Sequence, residues 1–232
     1  LLQQQTTGGD GAMFQQLRCW VMQLLFAMAR QFEGSYGRRM ALAATALAKA
    51  TAATGPPKKA ILFAGSSKIR LWKSMKEDLD ISEPVLNCGF GGARSKDLLE
   101  FMPQLVLSHE PRFVVYYCGI NDLHFGADVE VPVANLRRFH AQLREALPNT
   151  KLLVLAMNRS PLHYALGMQH KIERSNQLIQ QLAEEQRFEC VDLFSQEPRF
   201  AYDTSLYAWD MLHFTPSGYS ILGRMLRPYL CE

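Results

Sequence analysis

The sequence predicts a three-layer α/β/α fold around a mainly parallel five-stranded sheet. Two observations carry this expectation. Short apolar runs rich in β-formers alternate with segments of helical periodicity from residue 60 to the end of the chain. The first of these runs, Ala60-Ile-Leu-Phe-Ala, then stops on Gly65-Ser66-Ser67, as strands do where they reach the carboxyl edge of a parallel sheet.

Strands are expected at 60–65, 84–88 (PVLNC), 112–118 (RFVVYYC), 151–156 (KLLVLA) and 188–193 (FECVDL). Between and after them, helices are expected at 68–79, 95–108, 131–147, 170–186 and 216–229. The last has a clear start: Thr215 can cap the N-terminus, and Pro216 occupies the first position, where its missing N–H costs nothing.

With 232 residues, 48% of them hydrophobic and 20% charged, the chain can bury one substantial core, so one main domain is expected. Its boundaries read as an N-terminal extension over 1–58 and the main domain over 59–232. The charge is uneven. Residues 1–59 carry seven Lys/Arg against Asp10 and Glu33, a net +5, whereas the remainder carries −2. The basicity belongs to the extension, and the main domain lacks the basic surface of a nucleic-acid binder. Cys19, Cys88, Cys118, Cys190 and Cys231 are scattered, without metal-like spacing, and read as free thiols. A single Cys88–Cys118 bridge between strand ends stays open as an alternative.

Residues 1–12 are polar, of low complexity, and receive no element. Met13–Ala29 has two readings. Arg18, the apolar run Cys19–Ala29 and Ala27-Met28-Ala29 fit a signal peptide. Phe14, Leu17, Val21, Leu24, Leu25, Met28 and Phe32 recur at helical spacing, which fits an amphipathic helix docked on the domain or lying on a membrane over 13–33. Residues 34–57 contain no acid, a composition shared by transit peptides and linkers. If 13–55 is a targeting segment the protein is secreted, organellar or membrane-associated; otherwise it is cytoplasmic.

Chemistry is expected at the strand ends. After the first strand comes Gly65-Ser66-Ser67; after the second, Asn87-Cys88-Gly89-Phe90-Gly91-Gly92; after the third, Gly119-Ile120-Asn121-Asp122; before the last helix, Trp209-Asp210-Met211-Leu212-His213. These four blocks, in this order and at these places, resemble the SGNH (GDSL-type) hydrolase family, whose letters stand for Ser, Gly, Asn and His. The resemblance runs from about residue 60 to the C-terminus and implies a flavodoxin-like topology and a serine esterase without cofactor or metal. It assigns Ser67 as nucleophile, His213 as base and Asp210 as its orienting partner. The Ser67 amide, the Gly92 amide and the Asn121 side chain become oxyanion donors, with Gly89 or Gly91 as alternatives to Gly92. Ser66 stands where the family usually has Asp, Lys68 where it usually has Leu, and Ala93 where Ser or Asp is common.

The residue types suit these roles independently. A serine hydroxyl needs a base to become nucleophilic, and imidazole titrates near working pH. Asp210 and His213, three apart in one loop, let a carboxylate hold the ring in one tautomer. His124, Trp209 and Phe214 are candidates for the substrate wall, with Tyr202 and Tyr207 beside them in the same loop, although these four aromatic residues before the last helix suit a core at least as well. His109, His140, His163 and His170 have no partner motif. No metal constellation appears, and Gly89–Gly92 lacks a nucleotide-loop pattern. The expected substrate is a small-molecule or lipid ester, with a short acyl group because the domain leaves little chain for a large lid.

Overall fold

The structure is a computed structural model and describes residues 16–18, 20–22, 24, 33–53 and 59–231. Strands β1 (Ile61–Gly65), β2 (Val85–Gly89), β3 (Phe113–Tyr117), β4 (Lys151–Leu155) and β5 (Glu189–Val191) lie where the apolar runs predict them. They form one parallel sheet in the order β2-β1-β3-β4-β5. From β1 the chain winds outward to β2, then returns across β1 to place β3 on its other side. The crevice where the winding reverses is where such sheets place their sites.

The pleat sends alternate side chains into two different layers. Leu62, Ala64, Val114, Tyr116, Leu152 and Val154 pack into one core. Ile61, Phe63, Phe113, Val115, Tyr117, Leu153 and Leu155 pack into the other. Both faces are covered, which is why the strands read as continuous apolar runs.

The helices are α1 (Glu33–Ala53), α2 (Ser67–Leu71), α3 (Met75–Leu79), α4 (Ser95–Glu100), α5 (Met102–Leu105), α6 (Ile120–His124), α7 (Glu130–Ala146), α8 (Pro161–Ala165), α9 (Gln169–Gln186), α10 (Leu193–Gln196) and α11 (Pro216–Leu230). α1, α4, α5, α6, α7 and α9 contribute to the first core, and α2, α3, α10 and α11 to the second. Thr215 caps α11 by accepting the Gly218 N–H.

Two expected helices are each broken. The 68–79 segment is α2 plus α3, because Asn87 Nδ2 takes the carbonyls of Ile69 and Trp72 at 2.7 and 3.4 Å and ends the first helix. Trp72 Nε1 and Ser74 Oγ then donate to Asp78 Oδ2 at 2.7 and 2.6 Å, starting the second. The 95–108 segment divides at Phe101, before Pro103 in the first turn of α5. Single-turn helices α6, α8 and α10 are too short for periodicity to reveal.

α1 docks on the domain: Met40 and Ala44 are buried in the first core, and the helix packs against α5. Most of Met13–Ala29 lies outside the described residues. Of those described, Met22 is buried against Leu162, Met211 and Leu212. Among the described residues no helix is long and apolar enough to cross a membrane. Cys88 and Cys118 are both buried free thiols, so the bridge left open from their strand-end positions does not form.

Candidate active site

Gly65, the last residue of β1, is in register with Gly89 on β2 and Tyr117 on β3. The three loops that follow therefore leave the sheet side by side. α2 starts immediately above this edge, and glycine is needed for that closeness. A Cβ on Gly65 would lie 2.5 Å from Ile69 Cγ1 and 2.6 Å from the Tyr117 carbonyl, and one on Gly89 would lie 2.4 Å from the Arg70 amide. Ser67 is the first residue of α2 and Ser66 its N-cap, 1% exposed.

Asp210 and His213 reach the same point from the loop before α11. Its neck is closed by the Tyr207–Phe214 bridge and by the Ala208 N–H donating to the His213 carbonyl at 2.7 Å. Met211 at its tip has φ 55°, the left-handed region that a side chain rarely occupies, held by its N–H to the Ala208 carbonyl. This turn aims both functional side chains at α2.

Ser67 Oγ lies 2.7 Å from His213 Nε2, and His213 Nδ1 lies 2.6 Å from Asp210 Oδ2. Asp210 Oδ1 also accepts the backbone N–H groups of Leu212 and His213, both at 3.0 Å. Burial alone would raise the Asp210 carboxyl, but these hydrogen bonds from His213 and Leu212 outweigh it and hold the group down at about 2. A charged carboxylate accepts only, so Nδ1 carries the proton and the Nε2 lone pair faces the Ser67 hydroxyl. Ser66 has no such partner, which separates the two adjacent serines.

On the other side of Ser67, Gly119 takes φ 126°, and a Cβ there would approach Pro132 and Met157 Sδ at 3.0 and 3.1 Å. The chain then turns into α6, carrying Asn121. Asn121 Nδ2 donates to the Ala93 carbonyl at 2.9 Å. This bond ties the loop after β3 to the Gly91-Gly92-Ala93 loop after β2, where Gly92 has φ 82°. The amide has a second N–H. Asp122 is structural: it accepts the Ser95 N–H at 2.8 Å and the Ser95 hydroxyl at 2.6 Å, fixing the start of α4.

The three wall candidates separate. Trp209 is 60% exposed beside Asp210. Phe214 is not at the surface: it is 6% exposed, with ring centroids 4.8 Å from Phe200 and 5.2 Å from Tyr207, because the neck of the loop turns it into the core. His124 is 4% exposed, and its ring lies 5.2 Å from that of His163. Sequence reasoning gave no role to Lys68 and did not name Asn158, which with Tyr207 form a buried polar group under the site. Its one signal was a lysine standing where an apolar residue is usual. Among the described residues no group of His, Cys, Asp and Glu could hold a metal ion.

A parallel α/β domain with a Ser–His–Asp hydrogen-bonded chain at its switch point has the architecture of a serine hydrolase. The chain belongs to the GDSL-like lipase/acylhydrolase family, whose model matches residues 50–221. No curated protein matches it by sequence. Solved structures share the fold at low identity. A Streptococcus pneumonia protein named after platelet activating factor is 21% identical, with TM-score 0.72 over 88% of this chain and 99% of that one. A lipase/acylhydrolase from Enterococcus faecalis is 20% identical, with TM-score 0.62 over 74% and 95%. An acetylxylan esterase from Geobacillus stearothermophilus is 20% identical, with TM-score 0.61 over 75% and 95%.

Proposed function

We propose that the protein is a serine esterase that hydrolyses short-acyl carboxylic esters through an acyl-enzyme intermediate. The observation that carries this reading is the continuous chain Ser67 Oγ, His213, Asp210, with contacts of 2.7 and 2.6 Å. His213 Nε2 accepts the Ser67 proton as Oγ attacks the ester carbonyl, and Asp210 stabilises the imidazolium that forms. The imidazolium then protonates the departing alcohol. Water, deprotonated by the same ring, attacks the acyl-enzyme and releases the acid, restoring Ser67.

Negative charge on the carbonyl oxygen is met by the Ser67 amide, the Gly92 amide and the second Asn121 N–H, each such donor being worth about 3 kcal/mol in the transition state. The three belong to adjacent strand-end loops, and the Asn121–Ala93 bond keeps two of those loops together. The short-acyl preference is argued from the small size of the main domain, which leaves little chain for a large lid over the site. One fold neighbour is named as an acetylxylan esterase, and acetyl is a short acyl group. A fluorophosphonate probe tests the mechanism: it should label Ser67, as mapped on the modified peptide. Labelling elsewhere, or none, would refute it.

A second reading, a lipase or lysophospholipase acting at a lipid surface, is favoured by one observation. Met22 packs on Met211 and Leu212 of the loop that carries Asp210 and His213, while Leu17, Trp20 and Leu24 stay largely exposed beside it. These three share one helical face, and residues 1–59 carry the net +5 that anionic lipid would attract. Nitrophenyl esters of increasing chain length separate the readings. Specificity constants highest at two to four carbons support the first; a steady climb to ten carbons or more supports the second. Product analysis with an added alcohol would reveal acyl transfer in place of hydrolysis.

A further inference from the structure

Lys68 follows Ser67 directly in the chain, yet it is 3% exposed. A buried ammonium is costly unless well paired, and an apolar side chain of similar length would fill this place without that cost. The partners of Lys68 are neutral. Its Nζ donates to Asn158 Oδ1, lies 3.5 Å from Tyr117 Oη, and sits 4.8 Å from the Phe214 ring centroid. The last is a cation–π distance.

These partners lead to one place. Asn158 Nδ2 donates to Tyr207 Oη at 2.7 Å, and Tyr207 Oη donates to the Phe200 carbonyl. Tyr207 and Phe214 are the bridged pair at the neck of the loop that presents Asp210 and His213. Lys68 thus grips both sides of that neck, one directly and one through Asn158. Its own backbone is covalently next to the nucleophile, and its carbonyl accepts from Tyr219 Oη at 2.8 Å. The neighbour of Ser67 is packed on the neighbour of His213 across 146 residues of sequence.

We propose that Lys68 is a positioning residue that holds the Asp210–His213 loop at hydrogen-bonding distance from Ser67, and whose buried positive charge opposes protonation of His213 before substrate is attacked. The proposal rests on the serine-esterase reading of the site. The groups facing Lys68 are Asp210 from the loop, which holds His213, Tyr117 from β3, Tyr207, Tyr219 from α11, and His163 from α8 with His124 behind it. Burial pushes all three tyrosines further above their usual range, so they stay neutral. His163 is held well below the usual imidazole range by burial, with His124 and Lys68 adding to it, and is neutral as well. Asp210 is the opposing charge. Burial lowers Lys68 to about 7 against the pull of Asp210, so the ammonium is present on the acid side, where protonation of His213 would silence the base.

The test is the pH profile of kcat/KM for Lys68→Met, with Lys68→Arg beside it and fluorophosphonate labelling of Ser67 as a parallel readout. Without the buried charge the imidazolium is less opposed. The acid limb of Lys68→Met should move up by about half a pH unit or more, with a several-fold loss of kcat from the looser loop. Lys68→Arg, which keeps the charge, should leave the limb at or below its wild-type position. If Lys68→Met does not fold, Lys68→Gln, which keeps a donor for Asn158 Oδ1 but no charge, gives the same reading. A folded neutral variant whose limb stays at the wild-type pH overturns the proposal. If wild-type Ser67 fails to label, the esterase reading falls instead, so the two failures are distinguishable.

Discussion

Replacing Lys68 with methionine should change stability in a pH-dependent way that can be worked from the structure. In the unfolded chain the lysine loses its proton near 10.5, whereas burial in the folded protein brings that down to about 7. Between these values the unfolded chain binds more protons, so the wild type gains stability as pH rises. Below about 7 both states are charged and the full cost of the buried ammonium is present. Each pH unit in the window is worth about 1.4 kcal/mol, and the whole shift sets a ceiling of about 5 kcal/mol. Lys68→Met keeps most of the packing and has no such dependence. It should therefore compare most favourably with the wild type near pH 6, with an advantage that shrinks by about 2 to 3 kcal/mol on going to pH 9. Urea unfolding followed by tryptophan fluorescence at four or five pH values measures this, since Trp72 is buried in the core beside α2. A stability difference constant from pH 6 to 9 would refute the reasoning. A variant that is more stable at pH 6 and yet slower would identify Lys68 as retained for function at the expense of the fold.

Ser67→Ala should reduce ester turnover by at least roughly a thousandfold, while Ser66→Ala, lacking any contact with His213, keeps most of it; steady-state kinetics on a nitrophenyl ester decides. His213→Ala should cost turnover about as heavily as Ser67→Ala, whereas His124→Ala should keep most of it, measured with the same ester. Gly89→Ala forces a Cβ to within 2.4 Å of the Arg70 amide, so it should cost at least about 1 to 3 kcal/mol in chemical denaturation, because the atom in the way is backbone and cannot turn aside. A chain starting at Lys58 removes Met40 and Ala44 from the first core. It should still hydrolyse short esters, with a lower Tm and a greater tendency to aggregate, and scanning calorimetry with light scattering would show whether it does.

The strands, their parallel arrangement and the four blocks at their ends were legible in the sequence because each depends on local pattern. A strand buried on both faces must be apolar throughout, and a helix that starts directly above the strand end needs the glycine of a Gly-Ser turn. Asp210 and His213 are paired by the family resemblance, and their spacing of three residues in one loop is compatible with that pairing. The split of the 68–79 segment was not legible, because the side chain that ends α2 belongs to Asn87 on another strand. The same holds for Phe214, whose ring reads equally as site wall or core until the Tyr207–Phe214 bridge turns it inward. For α1, an acid-poor, alanine-rich composition suits a targeting segment, a linker or a helix alike; the burial of Met40 and Ala44 against the domain is a tertiary fact. Lys68 makes the contrast plainest. Its identity is written next to Ser67, but its burial among Asn158, Tyr117 and Phe214 arises only when segments some 90 and 146 residues further along the chain fold over it. Pattern along a chain records which face a residue turns to its own element. Which charge ends up beneath which loop is decided by contacts between elements far apart in sequence, and only the folded structure contains those.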